Sequence, residues 1–201
     1  MLAVAPASPG LERLAEDGNT EPLGGEFASL GDESAVWQNV VHMCPLCPGE
    51  YQFMTIEVLV DPLKKLYFSY ASMVLPSNDA FVGNGHPMAY PVFNIGAKLV
   101  DVLVQDAGSD ILDAGTEVND ELPQNTAFFG QMAPDTGVDE NGVVYPHPGF
   151  LPEGSGGILD DPNFENADFM APGYQALEIV VIENPGSCVR EDGRKSSSSI
   201  E

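Results

Sequence analysis

The stretch Tyr51-Gln-Phe-Met-Thr-Ile-Glu-Val-Leu-Val60 sets the expected fold class. Tyr51, Phe53, Thr55, Glu57 and Leu59 alternate with Gln52, Met54, Ile56, Val58 and Val60 in a run rich in aromatic and β-branched residues, and a period of two is strand language. Working outward, further strands are expected over Leu66–Leu75, Tyr90–Ile95, Lys98–Val104, Val143–Tyr145 and Ala176–Glu183. Between them lie segments holding most of the 21 Gly and 17 Pro. Short strands with such connections predict an all-β chain folded as an antiparallel β-sandwich. Two short helices precede it. Ser8-Pro9 supplies an N-cap with proline in the first turn, and Gly18 follows the apolar pair Leu11 and Leu14 as a stop. Thr20 begins a weaker repeat of the pattern that ends near Gly31.

A chain of 201 residues, 43% of them hydrophobic, can bury one substantial core, so residues 1–185 are read as one domain and 186–201 as a mobile, Ser-rich tail. The charge is lopsided: 31 acids against 7 bases give a net charge of -24, which repels nucleic acid before contact. Gly186–Glu201 carries three bases and three acids, so the body keeps 4 bases and 28 acids. Lys64 and Lys65 form its only basic pair, a solvated strand end or the approach point of an acidic partner. No run of about 18 apolar residues exists to span a bilayer as a helix. The N-terminus has neither the basic region nor the long apolar stretch of a secretory signal.

The densest chemistry lies in Asp106-Ala-Gly-Ser-Asp110-Ile-Leu-Asp113-Ala-Gly-Thr-Glu117-Val-Asn119-Asp120-Glu121, where seven Asp, Asn or Glu side chains fall within 16 residues. Calcium wants six to eight oxygens in a flexible cage, and glycine lets the backbone wrap closely around it. The spacing is not that of an EF-hand. A solvated acidic loop is the plainer reading of composition alone. The segment from Gln105 to Asn141 is too long for a hairpin turn and reads as a long acidic loop. A second loop, Leu75-Pro-Ser-Asn-Asp79-Ala-Phe-Val-Gly83, follows a strand and presents one carboxylate.

Ala71-Ser-Met-Val-Leu-Pro-Ser-Asn-Asp-Ala-Phe-Val-Gly83, then Asp113-Ala-Gly-Thr-Glu-Val-Asn-Asp-Glu121, then His147-Pro-Gly149, closely resembles the spondin N-terminal domain of F-spondin, mindin and many bacterial exported proteins. The opening Ala7-Ser-Pro-Gly-Leu-Glu-Arg-Leu-Ala-Glu-Asp-Gly-Asn-Thr-Glu-Pro-Leu23 is similar to the bacterial version. In order, these stretches cover most of residues 5–183. The resemblance implies a sandwich similar to the calcium-dependent lipid-binding sandwich of synaptotagmin-like proteins, with a metal site between loops at one end. By position, Asp79 matches the acid of the first loop and Asp113 and Glu117 the two acids of the second, with calcium as the ion. Glu117 stands where the animal proteins have Asp. Relatives usually carry a further strand upstream of the segment corresponding to Ala7, so the resemblance implies either a trimmed chain or a sheet whose edge is left open or completed by another polypeptide. The Asp106–Asp110 copy reads as an insertion whose oxygens either supplement the cage or are solvated.

His147, in Tyr145-Pro-His-Pro-Gly, reads as a hydrogen-bonded turn histidine rather than a ligand. His42 and Cys44-Pro-Leu-Cys47 suggest half a zinc site, yet no second pair of ligands stands at usable spacing. Cys44 and Cys47, if they bond at all, are expected to form a local structural disulfide without redox turnover, and Cys188 lies in the tail. No nucleophile elbow, phosphate loop or dinucleotide fingerprint is present, so enzymatic activity is not expected. The expected function is a calcium-binding, non-enzymatic adhesion or interaction module with protein partners, acting outside the cytosol: secreted, at the cell surface or in an organelle lumen. The alternative is an accessory structural subunit docked in a larger extracytoplasmic or lumenal assembly, touching a membrane only peripherally if at all.

Overall fold

The computed structural model describes residues 5–29, 55–58, 60–63, 66–86 and 88–184. Helix α1 spans Pro9–Asp17 and α2 spans Glu21–Ser29. Ser8 caps α1 through its hydroxyl, which accepts the Leu11 amide at 3.2 Å. Pro9 sits where a helix has no use for an N–H. Gly18 ends the helix in the left-handed region at φ 69°, its amide returning to Leu14 O at 2.9 Å. Glu26 ties the two helices together, accepting the Ser8 hydroxyl and the Gly10 amide, each at 2.6 Å. Gly10 makes that approach possible, because a Cβ there would lie 2.6 Å from Leu23 Cα.

The strands are β1 (Tyr67–Phe68), β2 (Ala71–Met73), β3 (Ala80–Gly83), β4 (Tyr90–Pro91), β5 (Val102–Ala107), β6 (Leu112–Asp113), β7 (Tyr145–Pro146) and β8 (Gln175–Val181). They form three antiparallel sheets: β2-β3-β6-β7, the pair β1-β4 and the pair β5-β8. The fold is therefore β-rich and antiparallel, with two short helices. Strand alternation on β3 organises the interior. Phe81 points one way and packs with Leu112, Ala114 and Ala15 of α1. Ala80 and Val82 point the other way into Ile111 and Phe169, with Ala176 and Leu177 of β8 behind them. A third cluster joins Val92, Val102 and Val104 to Phe68, Ile179 and Val181. Each large side chain removed from water in these clusters contributes about 1.5–3 kcal/mol.

Several sequence expectations change. Thr55–Val58 belongs to no strand and is exposed, since an alternating run becomes a strand only when a neighbour takes up its amides; Tyr51–Met54 and Leu59 lie outside the described residues. The expected strand Leu66–Leu75 is two short pieces, β1 and β2, and the Lys98–Val104 strand starts later and runs on to Ala107. Within the expected loops, Ala80–Gly83 is the central strand β3 and Leu112–Asp113 is β6. Burial of Phe81, Val82 and Leu112 outweighs the turn-forming and acidic neighbours that make those stretches read as loops. Among the described residues no helix is long and apolar enough to cross a membrane. His42, Cys44, Cys47, Lys64, Lys65 and the tail from Gly186 lie outside the described residues.

Candidate functional site

The β3–β6 register pairs Ala80 with Asp113, so the residue before β3, Asp79, lies beside the residue after β6, Ala114. The Ala114 amide donates to Asp79 O at 3.1 Å. That crossing brings all three expected ligands together at one end of the four-stranded sheet. Asp79 Oδ2 accepts the Thr116 amide at 2.8 Å, the Glu117 amide at 3.1 Å and the Thr116 hydroxyl at 3.2 Å. Asp113 Oδ1 accepts the Gly115 amide at 2.7 Å and its Oδ2 accepts the Asn119 side-chain amide at 2.5 Å. Glu117 forms a bridge with Asp139 across the neighbouring loop, and its Oε1 accepts the Gly137 amide at 3.0 Å.

Asp79 and Asp113 are 0% exposed and Glu117 2%. Yet Asp79 Oδ1 and Glu117 Oε2, both buried, complete no hydrogen bond. Burial, aided by the neighbouring Asp113 carboxylate, raises the Asp79 pKa to about 6 against the pull of its three donors. Glu117 rises to about 7, first through burial and then through Asp79 and Asp17, while the Gly137 amide and the Asn78 side chain hold it back. Burial also pushes the Tyr145 hydroxyl up, and its hydrogen bond to Asp113 adds to that. A carboxylate is held charged by donors or by a cation, and the basic side chains of the described residues are only Arg13 and Lys98.

Sequence reasoning missed a fourth acid. Glu16, on the last turn of α1, is 2% exposed, and its Oε2 completes no hydrogen bond. Burial, opposed by the Thr116 hydroxyl and reinforced by Glu117, Glu12 and Asp17, raises its pKa to about 8. The signal available in sequence was the adjacent pair Glu16-Asp17 at the negative end of a helix dipole with no base in the last turn.

Other acids of the motif are spent elsewhere. Asp106 takes the Tyr70 hydroxyl at 2.7 Å, and Asp110 accepts the Ala107 amide at 2.9 Å. Glu121 accepts the Leu151 and Ile158 amides at 2.5 and 2.8 Å, pinning a later loop. His147 is a turn histidine: its Nδ1 accepts the Gly149 amide at 3.0 Å. That leaves the proton on Nε2, which faces Asn119 Oδ1 at 3.3 Å and so connects the ring to Asp113. The ring packs edge-on against Phe150 and Phe169. Burial lowers its pKa, and the Asp113 charge offsets part of that.

The donors at this end are hard carboxylate oxygens, two of them buried without a hydrogen bond, which suits calcium chemically. Among the described residues no group of three or more His, Cys, Asp or Glu side chains is placed to hold a metal ion. No family model matches the chain, and no curated protein or solved structure matches it either.

Proposed function

We propose that this chain is a calcium-binding interaction module acting outside the cytosol, a β-sandwich domain of the spondin N-terminal type without enzymatic activity. One observation carries the reading: Asp79 and Glu117 each keep a carboxylate oxygen buried with no hydrogen bond, beside Asp113. Evolving water-excluded like charges together is costly unless a cation or a proton offsets them. Asp79, Asp113 and Glu117 would hold the ion with backbone carbonyls of the same loops. The bound ion supplies positive charge to those carboxylates. The protein's own contribution is the β3–β6 crossing, which fixes Asp79 against Asp113, and the amides of Thr116, Glu117 and Gly137, which orient the remaining oxygens. Calcium would thereby stiffen the loop end and present it to a protein partner.

Thermal unfolding with and without calcium, repeated on the D79N/D113N/E117Q variant, tests this. Calcium-dependent stabilisation that vanishes in the variant supports the site. An intact protein indifferent to calcium rejects it.

A second reading, an accessory subunit of a larger assembly, is favoured by the β5–β8 ribbon. Among the described residues no third strand joins either of its edges, and Leu103 and Val180, paired across it, are more than half exposed. An open edge offers amides and carbonyls to another chain. Purification from the native source, alone or with companions, separates the two.

A further inference from the structure

We infer that the β5–β8 ribbon is a docking edge for an extended segment of another protein, apolar in its middle and basic at its ends, taken up as a third strand beside β8. This rests on the accessory-subunit reading above, whose partner it specifies, and is independent of calcium.

β5 reads Val102-Leu-Val-Gln-Asp-Ala107 and β8 reads Gln175-Ala-Leu-Glu-Ile-Val-Val181, and alternation gives the ribbon two faces. Val102 and Val104 are buried on the inner face, where Phe68, Ile179 and Val181 pack against them. The outer face is open. Leu103 and Val180, paired across it, are 57% and 56% exposed. Val102 pairs with Val181, so Ile182 comes next on the outer side, and it is 65% exposed. One exposed aliphatic side chain is ordinary, but three adjoining on so small a sheet mark a surface made to be covered.

The backbone adds to the case. Among the described residues no third strand joins the ribbon, so each strand turns a row of amides and carbonyls away from its partner. Edges of this kind are ordinarily blunted by Lys, Pro or a bulge. Neither strand carries Lys or Pro, and the one register shift, between Asp106 and Ala107, lies at the end away from Leu103 and Val180. Acids then fix the charge of the partner. Glu178 and Glu183 stand exposed on either side of Val180 and Ile182, and Asp101 is exposed just before β5. The Gln105 side-chain amide holds the Glu178 carboxylate at 2.8 Å. No base lies on either strand, and the whole chain has 31 acids against 7 bases. A second copy would set these acids against their own images. A segment with Lys or Arg at both ends and β-branched residues between them meets the acids, the apolar side chains and the open ladder together.

The test titrates the full chain with a synthetic peptide, two lysines at each end and alternating valine and threonine between, while hydrogen exchange of Gln175–Val181 is followed. Three comparison peptides exchange the lysines for glutamates, exchange the valines for glycines, or carry N-methyl groups on alternate amides so that no ladder forms. The expected result is that the first peptide binds, protects the β8 amides and weakens as salt is raised. Each comparison peptide should bind about tenfold more weakly or worse, and so should the first peptide to the Val180→Glu variant. Attraction by charge alone would instead strengthen in that variant, which gains an acid. Equal binding of the glycine or N-methyl peptide, or β8 amides left unprotected, overturns the docking edge. Sedimentation showing a wild-type dimer that Val180→Glu abolishes puts a second copy on the ribbon and overturns it too. Purification from the native source keeps the two readings apart. Companions that leave β8 unprotected overturn this inference and spare the accessory reading, whereas a solitary chain whose β8 still takes the peptide does the reverse.

Discussion

Two sets of buried carboxylates in this molecule differ in one respect, whether their oxygens are spoken for. Glu121 and Asp106 are as hidden as many core residues, yet Glu121 receives two backbone amides and Asp106 a tyrosine hydroxyl. Those are structural acids, stapling loops and strands with charge-assisted hydrogen bonds. Asp79, Glu117 and Glu16 are equally buried, but each retains an oxygen without a hydrogen bond; other acids stand beside all three, and only Glu16 has a base near it, Arg13 at 3.8 Å. The difference teaches that burial alone does not mark a site. Burial with incomplete satisfaction does, because the missing interaction has to come from a proton or a cation.

The largest effect should come from removing the two unsatisfied acids Asp79 and Glu117 together with their neighbour Asp113. A ligand that binds only the folded state adds about 2.7 kcal/mol at a concentration 100 times its Kd. For a domain of this size that is a rise in Tm of about 5–10 °C. The D79N/D113N/E117Q variant should show none of it in a differential scanning experiment, while Glu121→Gln should keep it in full. Loss of the calcium effect in Glu121→Gln would erase the distinction between the two sets.

Proton binding gives the next test. Asp79, Glu117 and Glu16 have folded pKa values raised to about 6, 7 and 8 from ordinary values of 3.8, 4.5 and 4.5, so the folded chain binds protons more tightly than the unfolded one. Without calcium, their contribution is full below pH 4 and is lost as pH rises through 6 to 8. His147, lowered by burial, works oppositely: its contribution is full above pH 6.5 and fades as the pH falls through its lowered value. Urea unfolding in chelator should therefore show declining stability between pH 6.5 and 8.5. Saturating calcium should flatten or reverse that slope, since it takes the place of the protons. A stability that climbs with pH in chelator would mean the buried acids are already balanced.

Much of this was legible in the sequence. Ser8-Pro9 and Gly18 bracket α1 as written, because caps act locally through one side chain or one φ value. Asp79 lies beside Asp113 across the β3–β6 pair and accepts the Glu117 amide, an adjacency set by strand register and visible in sequence only as two separate acidic loops. What escaped was whatever depends on partners distant in sequence. β3 is four residues long and follows Ser77-Asn78-Asp79, so its strand identity comes from Met73, Phe81 and Leu112 meeting across the sheet rather than from its own pattern. The run at Thr55–Val58 has the pattern and lacks the pairing. Glu16 reads as a solvent-facing helix acid until the fold lays α1 against Phe81 and Leu112 and seals that face.

A smaller effect sharpens the structural side of the comparison. Glu121→Gln keeps one carbonyl oxygen for two amides, leaving either the Leu151 or the Ile158 N–H without its acceptor, at a cost of about 1–3 kcal/mol. Urea denaturation should register that loss equally with and without calcium. Tyr70→Phe, which strips Asp106 of its hydroxyl donor, should cost about 1 kcal/mol and likewise leave calcium titration untouched. Calcium dependence in either loss would place these acids in the cation site after all.

The central claim is that the unsatisfied carboxylates are a cation site, and calcium titration calorimetry on the intact chain at pH 6.5 and pH 8 addresses it most directly. Buffers of differing ionisation enthalpy would count the protons released. The account predicts binding at both values, tighter at pH 8, with more protons expelled at pH 6.5 where Glu117 still holds its proton. Absence of calcium heat at both pH values, or binding without any proton release at pH 6.5, would contradict it.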